Sequence, residues 1–253
     1  MNQNEIKKIS SLSHGKYRKQ YGLFVVEGAH VIAELLKSDW EIESLLITYE
    51  AMDSFEPLVE AAKQRRIPVE ALNQKIFTKL SDTESPQGIL AVVRLPKPDL
   101  GRLISQKKIL IADGVTDPGN LGTMVRTAAA FGFGGFITTP GSADIFAPKT
   151  VRATQGAMFH LAVANHVDYG DIANKIEPSH KLYCLSANAS ADLKEFKPAA
   201  KMALVVGAEI AGVNDKLSAI ADQMLRIPMS GPVESLNAAV AAGIAMYEFS
   251  KRS

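Results

Sequence analysis

Cysteine is nearly absent: Cys184 is alone in 253 residues. One thiol excludes a disulfide framework and points to a reducing compartment. No apolar run approaches the roughly 20 residues that a membrane-spanning helix needs. The opening stretch MNQNEIKKISSL has no apolar core of the signal-peptide kind, so a cytoplasmic protein away from membranes is expected. The five histidines are scattered without metal-ligand spacing, and no metal site is expected. An excess of one charge sign is missing too. The formal net charge of +1 argues against a chain that coats nucleic acid through bulk charge, although a local basic patch remains open.

Apolar residues make up 47% of the chain, enough for a proper core in one large domain or two ordinary ones. Charge is clustered at the start. Lys7, Lys8, Lys16, Arg18 and Lys19 stand against the single acid Glu5 within residues 1–20, five minus one leaving +4. Such a run reads either as a solvated helix face or as a contact for nucleic acid.

Along the first part, Ile6, Ile9 and Leu12 recur at helical spacing. Strands are predicted at 21–26, 45–48, 67–70 and 88–94, with helices at 30–36, 56–65 and 75–80 between them. This alternation suggests a small α/β sandwich over residues 1–95. Residues 96–104, with Pro96, Pro98 and Gly101 at or beside them, form the natural linker. From there, over 105–253, the pattern restarts: strands at 109–112, 135–138, 161–164, 182–185, 203–206 and 225–227 alternate with helices at 121–131, 149–154 and 172–176. A mostly parallel sheet covered on both faces follows, and ligands in such sheets collect where loops leave the carboxyl ends of strands.

The most informative stretch is 204–248. Leu204, Val205, Val206 and Gly207 read as a buried strand entering a turn, with Glu209 just past it. Ile227, Pro228 and Met229 lead into Ser230-Gly231-Pro232, and Ser235-Leu236-Asn237 opens a long Ala-rich helix. Taken alone, Glu234 to Asn237 are residue types that cap helices, and Ile227 and Leu236 are ordinary core residues.

Their combination says more. G-x-E-x-x-G (Gly207, Glu209, Gly212), I-P-M-x-G (227–231) and S-L-N (235–237) follow one upstream segment, N-L-G-T-M-V-R-T-A-A-A-F-G (120–132). As a set in this order they resemble the SpoU/TrmH family of RNA ribose 2′-O-methyltransferases of the SPOUT superfamily. Residues 23–28 followed by a helix, with Gln87-Gly88-Ile89-Leu90-Ala91, are similar to the substrate-binding domain that precedes the catalytic domain in one branch of that family. That domain has the fold of an RNA-binding ribosomal protein.

The resemblance implies an α/β catalytic domain with a deep trefoil knot, S-adenosyl-L-methionine as methyl donor, no metal, and a homodimer formed through the C-terminal domain. It places Gly207, Ile227, Met229, Ser235, Leu236 and Ala238 at the donor, with Leu185 and Ser186 at the end of another strand beside them. Asn120, Arg126, Glu209, Ser235 and Asn237 match catalytic positions. Glu209 is expected to hold Asn120 or Arg126. Asn120 is expected in a loop or cap and Arg126 on a helix surface, since six residues do not share one helix face. The matching arginine is linked with proton removal in the family. A guanidinium stays protonated at ordinary pH, so clamping an RNA phosphate ranks first. Arg152 is a second RNA contact. Thr154 stands where serine is usual, and Ala208 where a polar residue is commoner.

The N-terminal module favours large-subunit rRNA as the partner; tRNA and a non-catalytic RNA-binding or ribosome-assembly role are the alternatives. A dinucleotide-binding oxidoreductase fits less well, because Gly132-Phe133-Gly134-Gly135 follows a helix and lacks G-x-G-x-x-G spacing after a strand.

Overall fold

The computed structural model describes residues 1–232 and 235–251. Packing divides the chain into two units, one of Met1–Lys97 with Phe146–Phe159, the other of Pro98–Ile145 with His160–Ser253.

The first unit opens with α1 (Gln3–Ser11). Its N-cap Asn2 accepts from the backbone N–H groups of Asn4 and Glu5, while the Glu5 carboxylate accepts from the Asn2 N–H, a reciprocal cap for the free donors of a helix start. Helix α2 (Gly15–Tyr21) ends at Gly22, whose φ of 64° is left-handed backbone that favours glycine. Tyr21, expected to begin a strand, therefore closes a helix, and β1 (Leu23–Glu27) starts two residues later. Next come α3 (Ala29–Leu36), β2 (Ile42–Thr48), α4 (Glu56–Gln64), β3 (Val69–Leu72), α5 (Gln74–Leu80) and β4 (Ile89–Arg94).

The four strands form a sheet in the order β1-β4-β2-β3, with β4 antiparallel to β1 and β2, and β2 parallel to β3. On one face Ile9 and Leu12 with Phe77 and Leu80 pack against Leu23, Val25, Leu46, Leu90 and Val92. An aromatic cluster serves the other: Phe24 lies 5.2 Å from Phe146, and Trp40 lies 5.3 Å from Phe159, ring centre to ring centre. Burying a phenylalanine contributes roughly 1.5–3 kcal/mol, so Phe146 and Phe159 tie residues 146–159 to this unit. That segment contains α8 (Pro148–Ala153). Gly156 has φ of +85°, and a β-carbon there would fall 2.6 Å from Glu34 Cβ, so the segment passes where only glycine fits.

The second unit begins with α6 (Leu100–Ile104), which forms inside the stretch expected to be a linker because Leu103 is buried in the core. It continues through β5 (Lys108–Asp113), α7 (Pro118–Ala130), β6 (Gly135–Thr138), β7 (Ala162–Ala164), the single turn α9 (Tyr169–Asp171), a π turn at Ile172–Ile176, β8 (Lys181–Leu185), the two-residue β9 (Ala191–Asp192), β10 (Met202–Gly207), α10 (Asp215–Ser218), β11 (Gln223–Arg226) and α11 (Ala238–Ser250). Seven strands make one sheet in the order β7-β6-β5-β10-β8-β11-β9, and every pairing in it is parallel. Period-two alternation sends Ile109, Ile111, Ala203 and Val205 to one face, where Leu103, Ile172, Ile176 and Leu217 cover them. Helix α11 packs on α7 and β10. Among the described residues no helix is long and apolar enough to cross a membrane.

Candidate functional site

Strands β8, β10 and β11 are neighbours in the sheet and run the same way, so the loops leaving their carboxyl ends converge. They enclose a cavity of about 340 Å³, within the size range of small-molecule sites. Leu185 and Ser186 enter it from the end of β8, Gly207 from β10, Ile227 and Met229 from the loop after β11, and Ser235, Leu236 and Ala238 from the approach to α11. All eight residues expected at the donor thus line one space. The cap expected of Glu234 lies outside the described residues.

The wall formed after β10 is tight. A β-carbon on Gly207 would fall 2.1 Å from the carbonyl carbon of Gly212, because the loop folds straight back and Gly212 N–H donates to Ala208 O at 2.9 Å. Gly212 itself has φ of +68°. Two glycines with different duties, Gly207 for close approach and Gly212 for a left-handed turn, therefore explain G-x-E-x-x-G physically.

Glu209 stands on this loop, and its Oε1 accepts from Asn237 Nδ2 at 2.7 Å, from Asn120 Nδ2 at 3.1 Å and from Ala238 N–H at 3.4 Å. Asn237 Nδ2 also donates to Asn120 Oδ1 at 3.0 Å. Three residues from three distant parts of the sequence thus form one hydrogen-bonded cluster at the cavity's edge. Asn237 is at the same time the N-cap of α11, its Oδ1 accepting from Ala239 and Val240 N–H. One side chain therefore both caps α11 and joins this cluster.

Asn120 lies in the first turn of α7 rather than in a loop or cap; the N-cap is Asp117, which accepts from Asn120 N–H at 2.7 Å. Asp117 followed by Pro118 is a helix-start signal the sequence carries openly. Arg126 is exposed farther along α7, outside the Asn120–Glu209–Asn237 cluster. Of the two residues proposed to lean on Glu209, only Asn120 does. Ser235 is exposed at the cavity.

The basic residues divide. Lys7, Lys16 and Lys19 are exposed and Lys8 is half-buried, but Arg18 points inward, 4% exposed, and donates from Nη1 to the carbonyls of Leu12 and Ser13, both at 2.8 Å. It closes the turn between α1 and α2. Arg152 donates to Asp82 at 2.9 Å and sits 3.8 Å from Glu27 Oε2, within the first unit. Thr154 is buried at the end of α8, where its hydroxyl donates to Val151 O, so the added methyl is accommodated.

One site neighbour was not foreseen. Asp113 is 2% exposed and accepts from the Thr139 hydroxyl at 2.6 Å, the Tyr169 phenol at 3.0 Å and the Asn214 N–H at 2.7 Å. It anchors the far end of the loop that carries Glu209. Burial pushes the Tyr169 phenol above its ordinary range. Burial, with the Asp113 charge adding, pushes the Cys184 thiol up to about 12. Among the described residues no group of His, Cys, Asp and Glu is arranged to hold a metal.

Comparison with known proteins identifies the family. Residues 107–247 match the SpoU rRNA Methylase family and residues 3–91 the MRM3-like substrate binding domain. The 23S rRNA (guanosine(2553)-2′-O)-methyltransferase RlmP of Bacillus subtilis is 34% identical over 96% of this chain and 94% of its own length. An S-adenosylmethionine-bound rRNA methyltransferase from Sinorhizobium meliloti has a TM-score of 0.87 at 27% identity, over 98% of this chain and 95% of that one. The SpoU methyltransferase AviRb of Streptomyces viridochromogenes, also solved with that cofactor, has a TM-score of 0.87 at 26% identity over 98% and 97%. The chain belongs to the SpoU rRNA methylase family.

Proposed function

We propose that this protein transfers a methyl group from S-adenosyl-L-methionine to a ribose 2′-hydroxyl of large-subunit ribosomal RNA. The observation that carries the reading is the junction of the cavity with the Asn120–Glu209–Asn237 cluster. The cavity fits the donor chemically. Its walls mix aliphatic side chains, the hydroxyls of Ser186, Ser218 and Ser235, and main chain brought close by glycine, a set able to hold a flat base and a sugar. When bound, the sulfonium supplies a methyl group already activated for displacement.

The chain's own task is placement. Gly207, Ile227, Met229, Leu236 and Ala238 hold the donor; Glu209 fixes Asn120 and Asn237, so that the loop after β10 and the starts of α7 and α11 keep one geometry. Arg126 grips the phosphate next to the acceptor ribose, since a guanidinium offers paired donors and keeps its charge. Ser235 orients the acceptor. The first unit supplies the remaining RNA contacts through Lys7, Lys8, Lys16 and Lys19. The full-length match to a 23S rRNA enzyme favours rRNA over tRNA, and the reading places the reaction in the cytoplasm.

The reading also includes a homodimer and a threaded trefoil in the second unit. Val240, Ile244 and Tyr247 are exposed at 51%, 37% and 45% along one stripe of α11, with Phe131 beside Tyr247 at 5.8 Å. A second copy is the partner that would cover this stripe. The loops leaving three adjacent strands, β8, β10 and β11, all line one cavity, and the threading is carried by the family likeness.

Titration calorimetry with S-adenosylmethionine, beside NAD as control, tests the donor. Mapping of ribose methylation in rRNA from cells with and without the protein tests the acceptor. A folded protein that binds no donor, or an rRNA map that does not change, overturns the proposal. Light scattering that gives a monomer at working concentration overturns the dimer.

A further inference from the structure

The junction of α1 and α2 carries a feature that the donor site does not use. The Tyr17 and Tyr21 rings stack with centres 6.2 Å apart and planes 14° from parallel. Lys8 Nζ lies over the Tyr21 ring at 5.4 Å and Lys16 Nζ over the Tyr17 ring at 5.8 Å. His14, 6.4 Å from Tyr17, joins this pair to a groove of about 760 Å³ lined by Lys7, Lys79, Ser10 and Ser13 among others. Among the described residues no carboxylate lines that groove. Tyr21 is 38% exposed, one of few large aromatic side chains so placed.

This combination has a specific chemical partner. Positive charge without sequence-reading side chains draws a phosphate backbone, and flat rings beside it accept unstacked bases; duplex RNA, whose bases are already stacked, offers them nothing. The lysines now rest on the ring faces, a weak and exposed contact that a base and its phosphate replace together. We infer that the Tyr17–Tyr21 pair and the adjoining Lys7–Lys79 groove bind an unpaired segment of RNA, bases on the tyrosines and phosphates in the groove. The inference rests on the RNA-methylating reading and deepens it: the first unit selects substrates with a single-stranded stretch outside the methylated nucleotide.

Fluorescence anisotropy of the full chain with a short labelled single-stranded RNA, and with its duplex, tests this. Tyr21→Ala weakens single-strand binding by about ten-fold or more, the effect of losing one base stack, and leaves duplex binding unchanged. Tyr21→Phe keeps the ring and retains affinity, which separates stacking from folding. Lys7→Ala and Lys79→Ala each lower the slope of log affinity against log salt by about one. Wild-type affinity in Tyr17→Ala/Tyr21→Ala, or equal losses on single strand and duplex, overturns the inference. S-adenosylmethionine calorimetry on the same samples keeps the two readings apart. Donor binding with tyrosine-independent RNA affinity sinks only this inference, whereas absent donor binding in the wild type sinks the methyltransferase reading and leaves the anisotropy to decide the tyrosines.

Discussion

Asn237 Nδ2 donates to Glu209 Oε1 at 2.7 Å while Asn237 Oδ1 caps the helix that follows, so one side chain ties the cavity's edge to the start of α11. The two duties can be separated. Asn237→Asp keeps a capping oxygen but turns a donor into a second carboxylate facing Glu209. Thermal stability then changes little relative to Asn237→Ala, which loses the cap at a cost of about 1 kcal/mol, a drop of about 2–4 °C in Tm. Methyl transfer falls steeply in both. A fully active Asn237→Asp in a tritiated-donor assay would remove the cluster from the mechanism.

Gly207→Ala places a methyl where Gly212 main chain already lies. The loop has to move, since backbone cannot yield as a side chain does, and overpacking of this kind costs roughly 1–3 kcal/mol or more. Donor affinity measured by calorimetry is expected to fall at least about ten-fold. Unchanged affinity would show that this loop does not shape the donor site.

Arg126→Ala is expected to leave donor affinity intact, because the residue is exposed on α7 apart from the Glu209 cluster. Transfer to RNA falls roughly 10- to 100-fold, the size of a lost charge-assisted hydrogen bond. Arg126→Lys restores part of it, since a point charge replaces a fork. Steady-state kinetics with RNA as the varied substrate checks both.

His180 is buried, its Nδ1 against the Ser179 hydroxyl at 2.7 Å and its Nε2 against Gln106 O at 2.8 Å. Burial lowers its pKa below the ordinary imidazole value, with the Lys201 charge acting the same way and the Gln106 bond opposing. The unfolded chain then takes up a proton first as pH falls. Stability from this group is complete above about pH 6.5 and is lost below it, down through the folded value. Tm measured across that range should decline toward acid, and His180→Gln should flatten the decline.

Cys184 is fully buried in the sheet, and its thiol is held at about 12. At pH 8 almost none is thiolate, so alkylation of the folded protein is slow and limited by opening. In denaturant, one thiol reacts at once. Fast labelling of the native protein would contradict the packing around β8.

Much of this was legible because the physics is local. Residues 109–112 and 203–206 read as strands from apolar runs that both sheet faces bury, and β5 and β10 form there. The cavity-lining residues were readable as a motif set, since their spacing follows strand ends. What was hidden depends on contacts far apart in sequence. Arg18 looks like its lysine neighbours until the turn after α1 brings the Leu12 and Ser13 carbonyls to its guanidinium. Asp113 reads as a strand-end residue until Thr139, Tyr169 and Asn214 surround it. The short β9 has too few residues to show periodicity, and it pairs only because β11 lies beside it.

Phe146 and Phe159 pack on Phe24 and Trp40, although the stretch between them is encoded well inside the family-matched 107–247 region. The chain therefore visits the first unit twice. No single cleavage point yields two intact halves: scission near residue 97 leaves the Trp40 indole with Phe24 but without Phe146 and Phe159, and severs Arg152 from Glu27 and Asp82. Heredity faces the same constraint as the protein chemist, because exchanging the leading module between relatives requires three crossovers within the chain, with the short returning strip inherited together with the module it completes.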